Sequence, residues 1–339
     1  MNLIDTIITL LKQKENFAIA TIINRSGSAP RDVGTHMLIC KDGTIAGTIG
    51  GGILEANVQH LAKDVITNKQ PVVDQFVLSA EDSAGMDMIC GGDVRVMIRY
   101  INAFDSYNLK LYQSIKEKKQ LRDKVWLVTP IPSKSLKAPF LISAYGEKML
   151  AKDDIVEYSG VPNATQAEII DYNDLELLIE PLNNNGTVYI FGAGHISQQL
   201  APLTKMVGFY TSVIDDRSTF ANSKRFPNVD ELHVIAQYKN ALDGLRVDGD
   251  SYLIIVTRGH SHDKTVLSQA LKSSAGYIGM IGSRRKRKEI YSALMTEGFG
   301  EADFKRVFSP IGININAETP EEIALSIVAE LVQQRALRR

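Results

Sequence analysis

The segment TVYIFGAGHIS, residues 187–197, has the residue types and spacing of a phosphate-binding turn. A short apolar run at residues 188–191 is typical of a buried parallel strand, and Gly192 and Gly194 follow it before a helical pattern begins. Asp215 ends the next apolar run about twenty residues later, where dinucleotide-binding units place the acid that binds ribose. Glycines let the backbone approach a phosphate at a helix N-terminus. We therefore predict a nucleotide or phosphate site at Gly192, Gly194, His195 and Asp215, with a tight turn that binds no ligand as the alternative.

A second candidate is the loop TRGHSHD, residues 257–263, which directly follows the apolar run at residues 251–256. Ligands of open parallel sheets bind at the carboxyl ends of the strands, so we expect Arg258, His260 and His262 to lie near a bound anion or other ligand. Two histidines and Asp263 could instead ligate a metal, although their spacing is not that of a closed metal site. The third interpretation is a solvated loop in which Asp263 caps the next helix.

A third candidate is the sequence YIGMIGS, residues 277–283, followed by five basic residues at 284–288. A strand, a Gly-Ser turn and a basic helix start would offer backbone amides and guanidinium groups to a phosphate. Five consecutive residues spread over every face of a helix, so at most two of these basic side chains can point inward. We predict contacts from Ser283 and Arg284 alone, and a solvated face for the others.

The first half of the chain carries three glycine-rich segments, at residues 27–31, 47–52 and 90–92. Each glycine costs chain entropy on folding, so three such loops in one small domain point to a close approach between the backbone and an extended polar ligand. Cys90 beside two glycines would be an accessible thiol that could bind a soft metal or carry sulfur. A small buried cysteine at a strand start is the alternative, and Cys40, within an apolar run, is expected in the core. The candidate residues here are Ser28, Arg31, Gly50, Gly51, Gly52, Glu55, Cys90, Gly91 and Gly92.

Two domains are expected to position these residues, with a boundary in the polar, turn-prone stretch at residues 183–186. Residues 186–339 alternate between strand and helix patterns, which predicts a doubly wound parallel sheet. Their last helix should begin with Thr319 as N-cap, Pro320 at its first position and Glu322 completing a capping box. Residues 1–185 predict a mixed α+β domain. The fold class predicted for the whole chain is α/β, because its second domain is a doubly wound parallel sheet. In the first domain, strands are expected at residues 17–23, 36–40, 44–49, 72–78 and 94–101, and a helix at 53–68. In the second domain, strands are expected at residues 188–191, 211–214, 232–235, 251–256, 277–281 and 306–308.

The composition excludes several classes of protein. A formal net charge of −1 over 339 residues argues against a dedicated nucleic-acid binder. No apolar run approaches the roughly eighteen residues of a membrane helix, and the N-terminal sixteen residues predict an amphipathic helix rather than a signal peptide. Two cysteines are too few for a disulfide scaffold, so a reducing cytoplasm is the expected location.

Seven segments together carry a resemblance to a known family: GSAPRDVGTHM, GTIGGGILE, MICGG, FGAGHIS, TRGHSHD, YIGMIGSRRKR and SPIGININAETPEEIALSIVAE. In this order they resemble the XdhC/CoxI family of maturation factors for molybdenum hydroxylases, from about Phe17 to Ala329. The resemblance implies an N-terminal XdhC/CoxI domain and a C-terminal Rossmann-like domain, in a homodimer. Family members bind the molybdenum cofactor, hold it while a cysteine desulfurase supplies the terminal sulfido ligand, and deliver it to apo xanthine dehydrogenase or a relative.

The resemblance also implies roles for particular residues. Cys90 becomes the contact to molybdenum or its sulfur, and residues 27–31 and 50–55 become the cradle of the pterin. The glycine turn and Asp215 keep a nucleotide role, for NAD(P) or for a nucleotide-extended pterin. Ser197 departs from the fingerprint, because it replaces the third glycine; it leaves room for a phosphate but should loosen the packing of helix on strand.

Two main hypotheses follow. In the first, the chain is a cofactor chaperone and not an enzyme. In the second, it is an NAD(P)-dependent oxidoreductase with Asp215 on the ribose and His260 as general acid–base. The first half opposes the second hypothesis, because it offers glycine loops rather than a pocket with a paired acid and base. A nucleotidyl-transfer activity is a third hypothesis, since related maturation proteins handle nucleotide-extended pterins.

Overall fold

The computed structural model describes residues 3–29, 31–78, 92–132, 137–152, 158, 160, 162–182, 185–258 and 260–338, with the backbone alone at residues 260 and 261. The chain divides into two compact units, residues 1–183 and 184–339. Each unit has its own sheets and its own buried cores.

The N-terminal unit contains two antiparallel sheets. The first has the order β3-β2-β1-β5-β4, with β1 at its centre. The first seven residues of β1 are all buried, as expected for a central strand. The second has the order β8-β7-β6-β10-β9 and is formed by strands between residues 125 and 181. The elements are α1 (Leu3–Gln13), β1 (Phe17–Arg25), β2 (His36–Cys40), β3 (Ile45–Gly47), α2 (Gly52–Asn68), β4 (Val72–Leu78), β5 (Gly92–Ile101), α3 (Ser106–Leu121), β6 (Val125–Pro130), β7 (Phe140–Ser143), β8 (Lys148–Leu150), β9 (Glu168–Tyr172) and β10 (Leu175–Pro181).

Helix α2 covers one face of the first sheet. Its side chains Leu54, Val58 and Val65 recur at helical spacing and are fully buried against residues such as Ala20 and Val96. The helix begins at the last of three consecutive glycines, Gly50 to Gly52, which all have positive φ (131°, 79° and 60°). Residues with a Cβ rarely adopt such a run of backbone angles. The glycines of this loop are therefore required by its backbone conformation.

The C-terminal unit is a six-stranded parallel sheet with the order β13-β12-β11-β14-β15-β16. Counted from its own first strand this is the order 3-2-1-4-5-6 of a Rossmann-like domain, which confirms the predicted α/β fold class. The elements are β11 (Thr187–Phe191), α4 (His195–Met206), β12 (Tyr210–Asp215), β13 (Glu231–Val234), a short 3-10 turn (Tyr238–Asn240), β14 (Ser251–Ile255), α5 (His260–Lys272), β15 (Tyr277–Met280), α6 (Arg284–Met295), α7 (Glu301–Phe304), β16 (Val307–Phe308) and α8 (Pro320–Leu337).

Helices cover both faces of this sheet. Alternate residues of β11 point to opposite faces, with Ile190 in a core shared with α4 and α8 and Phe191 in a core shared with α5 and α6. Burial on both faces explains why the strand sequences are continuous apolar runs. The capping box predicted at the start of α8 is confirmed: the Thr319 hydroxyl accepts from the Glu322 amide, and the Glu322 carboxylate accepts from the Thr319 amide.

Candidate functional site

The carboxyl ends of the parallel strands form the first candidate site. Strands β11 and β14 lie side by side, and the chain crosses from one half of the sheet to the other between them. Ligands of open α/β sheets bind at such a point, in the crevice outside the strand ends. The predicted glycine turn follows β11, and the loop TRGHSHD follows β14. The strand order therefore places these two candidate segments next to each other.

Glycine stands at positions 192 and 194 of the turn for two different structural reasons. Gly192 has φ 111°, and a Cβ there would lie 2.5 Å from the Val256 carbonyl oxygen and 2.9 Å from the Thr257 Cα. Glycine is thus needed at position 192 for packing against β14. A Cβ on Gly194 would meet no described atom within 4 Å, and Gly194 is the N-cap of α4, to which no described side chain donates or accepts as a cap. The open, uncapped end at Gly194 is the part of the turn that suits an anion.

Ser197, which stands at the third fingerprint position, is completely buried and donates from Oγ to the Gly192 carbonyl oxygen at 2.5 Å. This bond joins the first turn of α4 to the glycine turn. The hydroxyl stabilises the conformation that a third glycine would only permit. His195, two residues earlier, is exposed.

The Asp215 carboxylate is fully buried beneath the turn. It accepts hydrogen bonds from the Ala193 amide at 2.7 Å, from the Arg217 amide at 3.0 Å, and from the Arg217 guanidinium at 2.8 and 3.0 Å. Burial by itself raises the pKa of Asp215, but the Arg217 guanidinium and the two amides outweigh it, so the pKa lies below its usual value. Asp215 is thus an ionised carboxylate whose oxygens are engaged by the protein.

The side chains of Asp216 and Arg258, close to Asp215, are more exposed than Asp215 itself. Arg258, in the loop after β14, places Nη2 3.4 Å from Oδ2 of Asp216, the residue directly after β12. Residue 260 begins α5, and its side chain lies outside the described part of the structure. The structure therefore pairs Arg258 with Asp216, an acid that the sequence analysis did not single out.

A second buried carboxylate, Asp263, occupies the first turn of α5. It accepts from the Thr257 amide at 3.1 Å and, at short distances, from the Thr257 hydroxyl and the Lys286 ammonium. Burial raises the pKa of Asp263, although Lys286 and Thr257 act in the opposite direction. Asp263 fixes the loop TRGHSHD to α6 through these contacts, instead of being free to ligate a metal.

The basic start of α6 is arranged differently from the expectation. The Ser283 hydroxyl accepts from the Lys286 amide at 3.2 Å and so caps its own helix, while Arg284 is exposed. The inward-pointing cations are Lys286, bound to Asp263, and Arg287, which donates to the Ser309 carbonyl oxygen. Only the helical register decides which members of a five-residue basic run face inward, so the sequence offered no signal for Lys286.

The second candidate site lies at one edge of the first N-terminal sheet, namely the edge formed by the ends of its strands and not the one formed by an outer strand. The pairs Arg25 with Val94, Leu78 with Gly92, and Met37 with Gly47 place the ends of β1, β4 and β3 beside the starts of β5 and β2. The described residues at this edge are 26–29, 31–35 and 48–51, and Gly92 starts β5 beside them. Antiparallel pairing thus brings described residues of all three glycine-rich segments to a single edge.

The carboxylate of Glu55 organises one of these loops. Its Oε1 accepts from the Thr48 hydroxyl at 2.5 Å and from the amides of Ile49 and Gly51 at 3.0 and 2.8 Å. Burial raises the pKa of Glu55, but these donors together exceed that effect and lower it. Glu55 therefore holds the shape of the glycine loop in its ionised form.

The other predicted residues of this edge surround the start of β5. A Cβ on Gly92 would lie 2.3 Å from the Ser26 carbonyl oxygen and 3.1 Å from the Ser28 nitrogen, so the loop of residues 26–29 packs directly on Gly92. Ser28 and Arg31 are exposed. Cys90 and Gly91 immediately precede Gly92 in the chain but lie outside the described residues.

The described ranges contain neither a metal cluster nor a membrane helix. Their histidine, cysteine, aspartate and glutamate side chains form no group of three or more that could hold a metal ion. Their helices include none that is both long and apolar enough to cross a membrane.

Two family models match the chain in sequence. The model of the XdhC and CoxI family matches residues 10–77, and the model of the XdhC Rossmann domain matches residues 188–331. The two matches fall in different units and together take in the N-terminal glycine loops at residues 27–31 and 47–52 as well as the crevice.

Individual proteins match over nearly the whole chain. A probable xanthine dehydrogenase subunit of Bacillus subtilis (strain 168) is 27% identical over 332 residues, which cover 96% of this chain and 95% of that protein. The molybdenum cofactor insertion chaperone PaoD of Escherichia coli (strain K12) is 20% identical, with 94% of this chain and 83% of PaoD covered. The crystal structure of a xanthine dehydrogenase from Bacillus halodurans superposes with a TM-score of 0.79 at 27% identity, covering 100% of this chain and 97% of that one.

Proposed function

Because this chain belongs to the XdhC/CoxI family, we propose that it is an accessory factor in the maturation of a molybdenum hydroxylase. It binds the molybdenum cofactor, holds it while a cysteine desulfurase supplies the sulfido ligand, and delivers it to an apo-hydroxylase such as xanthine dehydrogenase. The names of two relatives, one a cofactor insertion chaperone and the other part of a xanthine dehydrogenase, support this role. Bound cofactor would supply the molybdenum and sulfur centre that the client enzyme uses.

The observation that carries the proposal is the convergence of Gly27, the loop at residues 48–51 and Gly92 at one edge of the first N-terminal sheet. A pterin with a phosphate is a flat, anionic ligand that many backbone amides can hold. Helix α2 starts at this edge after Gly51, no described side chain caps it, and a Cβ on Gly51 would meet no described atom within 4 Å. The uncapped helix start and the lack of a side chain at Gly51 fit such a ligand, and the exposed Arg31 adds a positive charge.

Within this site we propose that Cys90 contacts molybdenum or its sulfur. Cys90 and Gly91 precede Gly92, against which the loop containing Ser28 packs. A thiolate is a suitable soft ligand and sulfur carrier. Gly50, Gly51, Gly52 and Gly92 would offer backbone to the pterin, and Glu55 would keep the loop in shape.

The crevice of the C-terminal unit would bind a nucleotide, either the extension of the pterin or a separate NAD(P). Gly194 offers the open helix end, and His195, Arg258, His260, Ser283 and Arg284 lie on the loops and helix starts around the strand ends. Asp215 and Gly192 would hold the turn in place. The oxidoreductase hypothesis with Asp215 on the ribose has less support, because Asp215 is occupied by Arg217 and Ala193.

Cofactor retention by a cysteine variant tests the proposal. Purified protein would be mixed under anaerobic conditions with molybdenum cofactor released from a denatured hydroxylase, and molybdenum in the protein fraction would be quantified after gel filtration. We expect retention by the unmodified chain, strong loss in Cys90→Ala, and no loss in the matched control Cys40→Ala, whose half-buried thiol ends β2 at the opposite edge of the sheet. Unchanged retention and unchanged reconstitution of apo-xanthine dehydrogenase by Cys90→Ala would contradict the role of that residue.

Two further parts of the proposal concern the setting. We propose a homodimer, which sedimentation velocity would distinguish from a monomer. We also propose a cytoplasmic location, where thiols such as Cys90 remain reduced. A monomer that still binds the cofactor would contradict the proposed homodimer without affecting the proposed location.

A further inference from the structure

The loops after β12 and β14 are joined by an ion pair. Because β11 lies between these two strands, their carboxyl ends flank the turn at residues 192–194. Arg258, whose side chain is 57% exposed, reaches Asp216 Oδ2 at 3.4 Å. The distance is long and the arginine is solvated, so this pair contributes little stability and can be separated at small cost.

Asp215, the acid at the fingerprint position, is poorly placed to bind a ligand. Its carboxylate is fully buried, and its oxygens already receive the Ala193 amide and three donors of Arg217. A ribose could take these oxygens only by displacing Arg217 from a buried ion pair.

The carboxylate of Asp216 is in the opposite situation. Its Oδ1 is buried and accepts no hydrogen bond from the described residues, and Arg217 Nε lies 3.6 Å from this oxygen. Burial and then the charges of Asp215 and Asp216 raise the pKa of the Tyr238 phenol, which lies beside both acids and is 2% exposed. Arg225, which donates to the turn carbonyl of Ala193, has a buried Nε with no hydrogen-bond partner among the described residues. Unsatisfied buried polar atoms are rare, and the two at Asp216 and Arg225 indicate a polar ligand near the end of β12.

We propose that Asp216 binds the ribose hydroxyls of a nucleoside diphosphate, and that Arg258 leaves Asp216 to pair with the diphosphate at the Gly194 end of the turn. This inference rests on the nucleotide role proposed for the crevice and names the class of ligand and the residues that recognise it. Asp216 Oδ2 exchanges a guanidinium donor for hydroxyl donors, and Arg258 exchanges a carboxylate for a phosphate, which it can bind through two parallel hydrogen bonds. Both Asp216 and Arg258 therefore have hydrogen-bond partners before and after the ligand binds.

The same arrangement predicts which ribose is accepted. A phosphate on the 2′ oxygen would be placed against the negative charge of Asp216, whereas a free hydroxyl would donate to it. We therefore expect nucleotides with an unmodified ribose to bind better than 2′-phosphorylated ones.

Calorimetric titration of the full chain with ADP and with 2′-deoxy-ADP tests the proposal, since the two probes differ only in the hydroxyl that Asp216 would receive. We expect ADP to bind about tenfold more tightly than 2′-deoxy-ADP, the effect of one hydrogen bond to a charged group. Asp216→Asn should lower ADP affinity about tenfold and remove the preference between the probes. Arg258→Gln should weaken both probes by a similar factor and keep the preference. Asp243→Asn, an exposed acid of the same unit, is the control for the charge change, and melting curves would verify that each variant folds.

Three results would overturn the proposal. If Asp216→Asn binds ADP as the unmodified chain does, with the preference intact, the assignment of Asp216 fails while the nucleotide role of the crevice stands. If 2′,5′-ADP binds more tightly than ADP, the ribose specificity is wrong. If the unmodified chain binds no ADP, both the inference and the nucleotide role fail. None of these titrations contains molybdenum cofactor, so their outcome is separate from the cofactor-retention experiment.

Discussion

The Asp215 carboxylate accepts a hydrogen bond from the Ala193 backbone amide at 2.7 Å, which joins the end of β12 to the glycine turn after β11. Asp215 holds this amide while paired with Arg217, and Ser197 holds the Gly192 carbonyl oxygen from the other side. The turn is thus fixed by the protein itself before any ligand arrives. Its conformation should therefore depend on Asp215 even in the absence of nucleotide.

Asp215→Asn should destabilise the C-terminal unit by about 3 kcal/mol, because it leaves the Arg217 guanidinium without its buried partner. Since the folded-state pKa of Asp215 is lowered, its stabilising contribution is present above the unfolded pKa of about 3.9 and is lost as the pH falls through the folded pKa. Urea unfolding of the full chain between pH 3 and pH 7 would measure both effects. The variant should lose less stability on acidification than the unmodified chain, and equal losses would contradict the assignment. Asp243→Asn serves as the exposed control.

Replacing each glycine of the turn by alanine should separate folding from binding. Gly192→Ala combines a positive φ with a Cβ that would collide with the backbone at residues 256 and 257, so we expect a loss of well over 1 kcal/mol. Gly194→Ala has φ −77° and open space, so it should melt like the unmodified chain and instead weaken ADP binding. Thermal melts with ADP titrations would show the contrast. Similar melting temperatures for the two variants would rule out this interpretation.

Lys286→Met should cost about 3–5 kcal/mol at neutral pH, because it leaves the Asp263 carboxylate buried without its cation. The folded-state pKa of Asp263 is already raised by burial, and removing Lys286 raises it further. A raised pKa gives a contribution that is fully present below the unfolded value of about 3.9 and is lost as the pH rises through the folded value. The variant should thus be closer to the unmodified chain at pH 4 than at pH 8. In Lys286→Met combined with Asp263→Asn this difference between the two pH values should disappear, and its persistence would show that another group titrates.

Glu55→Gln should loosen the glycine loop without unfolding the N-terminal unit. All three hydrogen bonds of Glu55 end on Oε1, so the carbonyl oxygen of glutamine can still accept them, but without the negative charge that strengthens each one. A loss of about 1 kcal/mol in local stability corresponds to roughly fivefold faster hydrogen exchange at these amides. Glu117→Gln, an exposed residue of α3, is the matched control. Unaltered exchange at both amides would mean that the glycine backbone alone shapes the loop.

Much of the fold could be predicted from local sequence patterns. The apolar runs gave β2 and β4 with the bounds seen in the structure, and Thr319, Pro320 and Glu322 gave the start of α8. These features depend on residues within one turn or one strand. The second antiparallel sheet was not foreseen, because its strands are short and irregularly spaced and their pairing brings together residues far apart in the chain.

The sequence by itself determined the class of each unit, the glycine turn at residues 192–194 and the family, because spacing and residue type along the chain carry that information. Only the tertiary structure decided what the acids do. Arg217 and the Ala193 amide occupy Asp215, whereas Asp216 meets Arg258 across the strand between them. Only strand order and register could show that the loops at residues 26–29 and 48–51 share one edge with Gly92, and only helical register could show that Lys286 rather than Arg284 turns inward. Hydrogen-bond partners follow from distances in space, and a sequence pattern does not specify those distances.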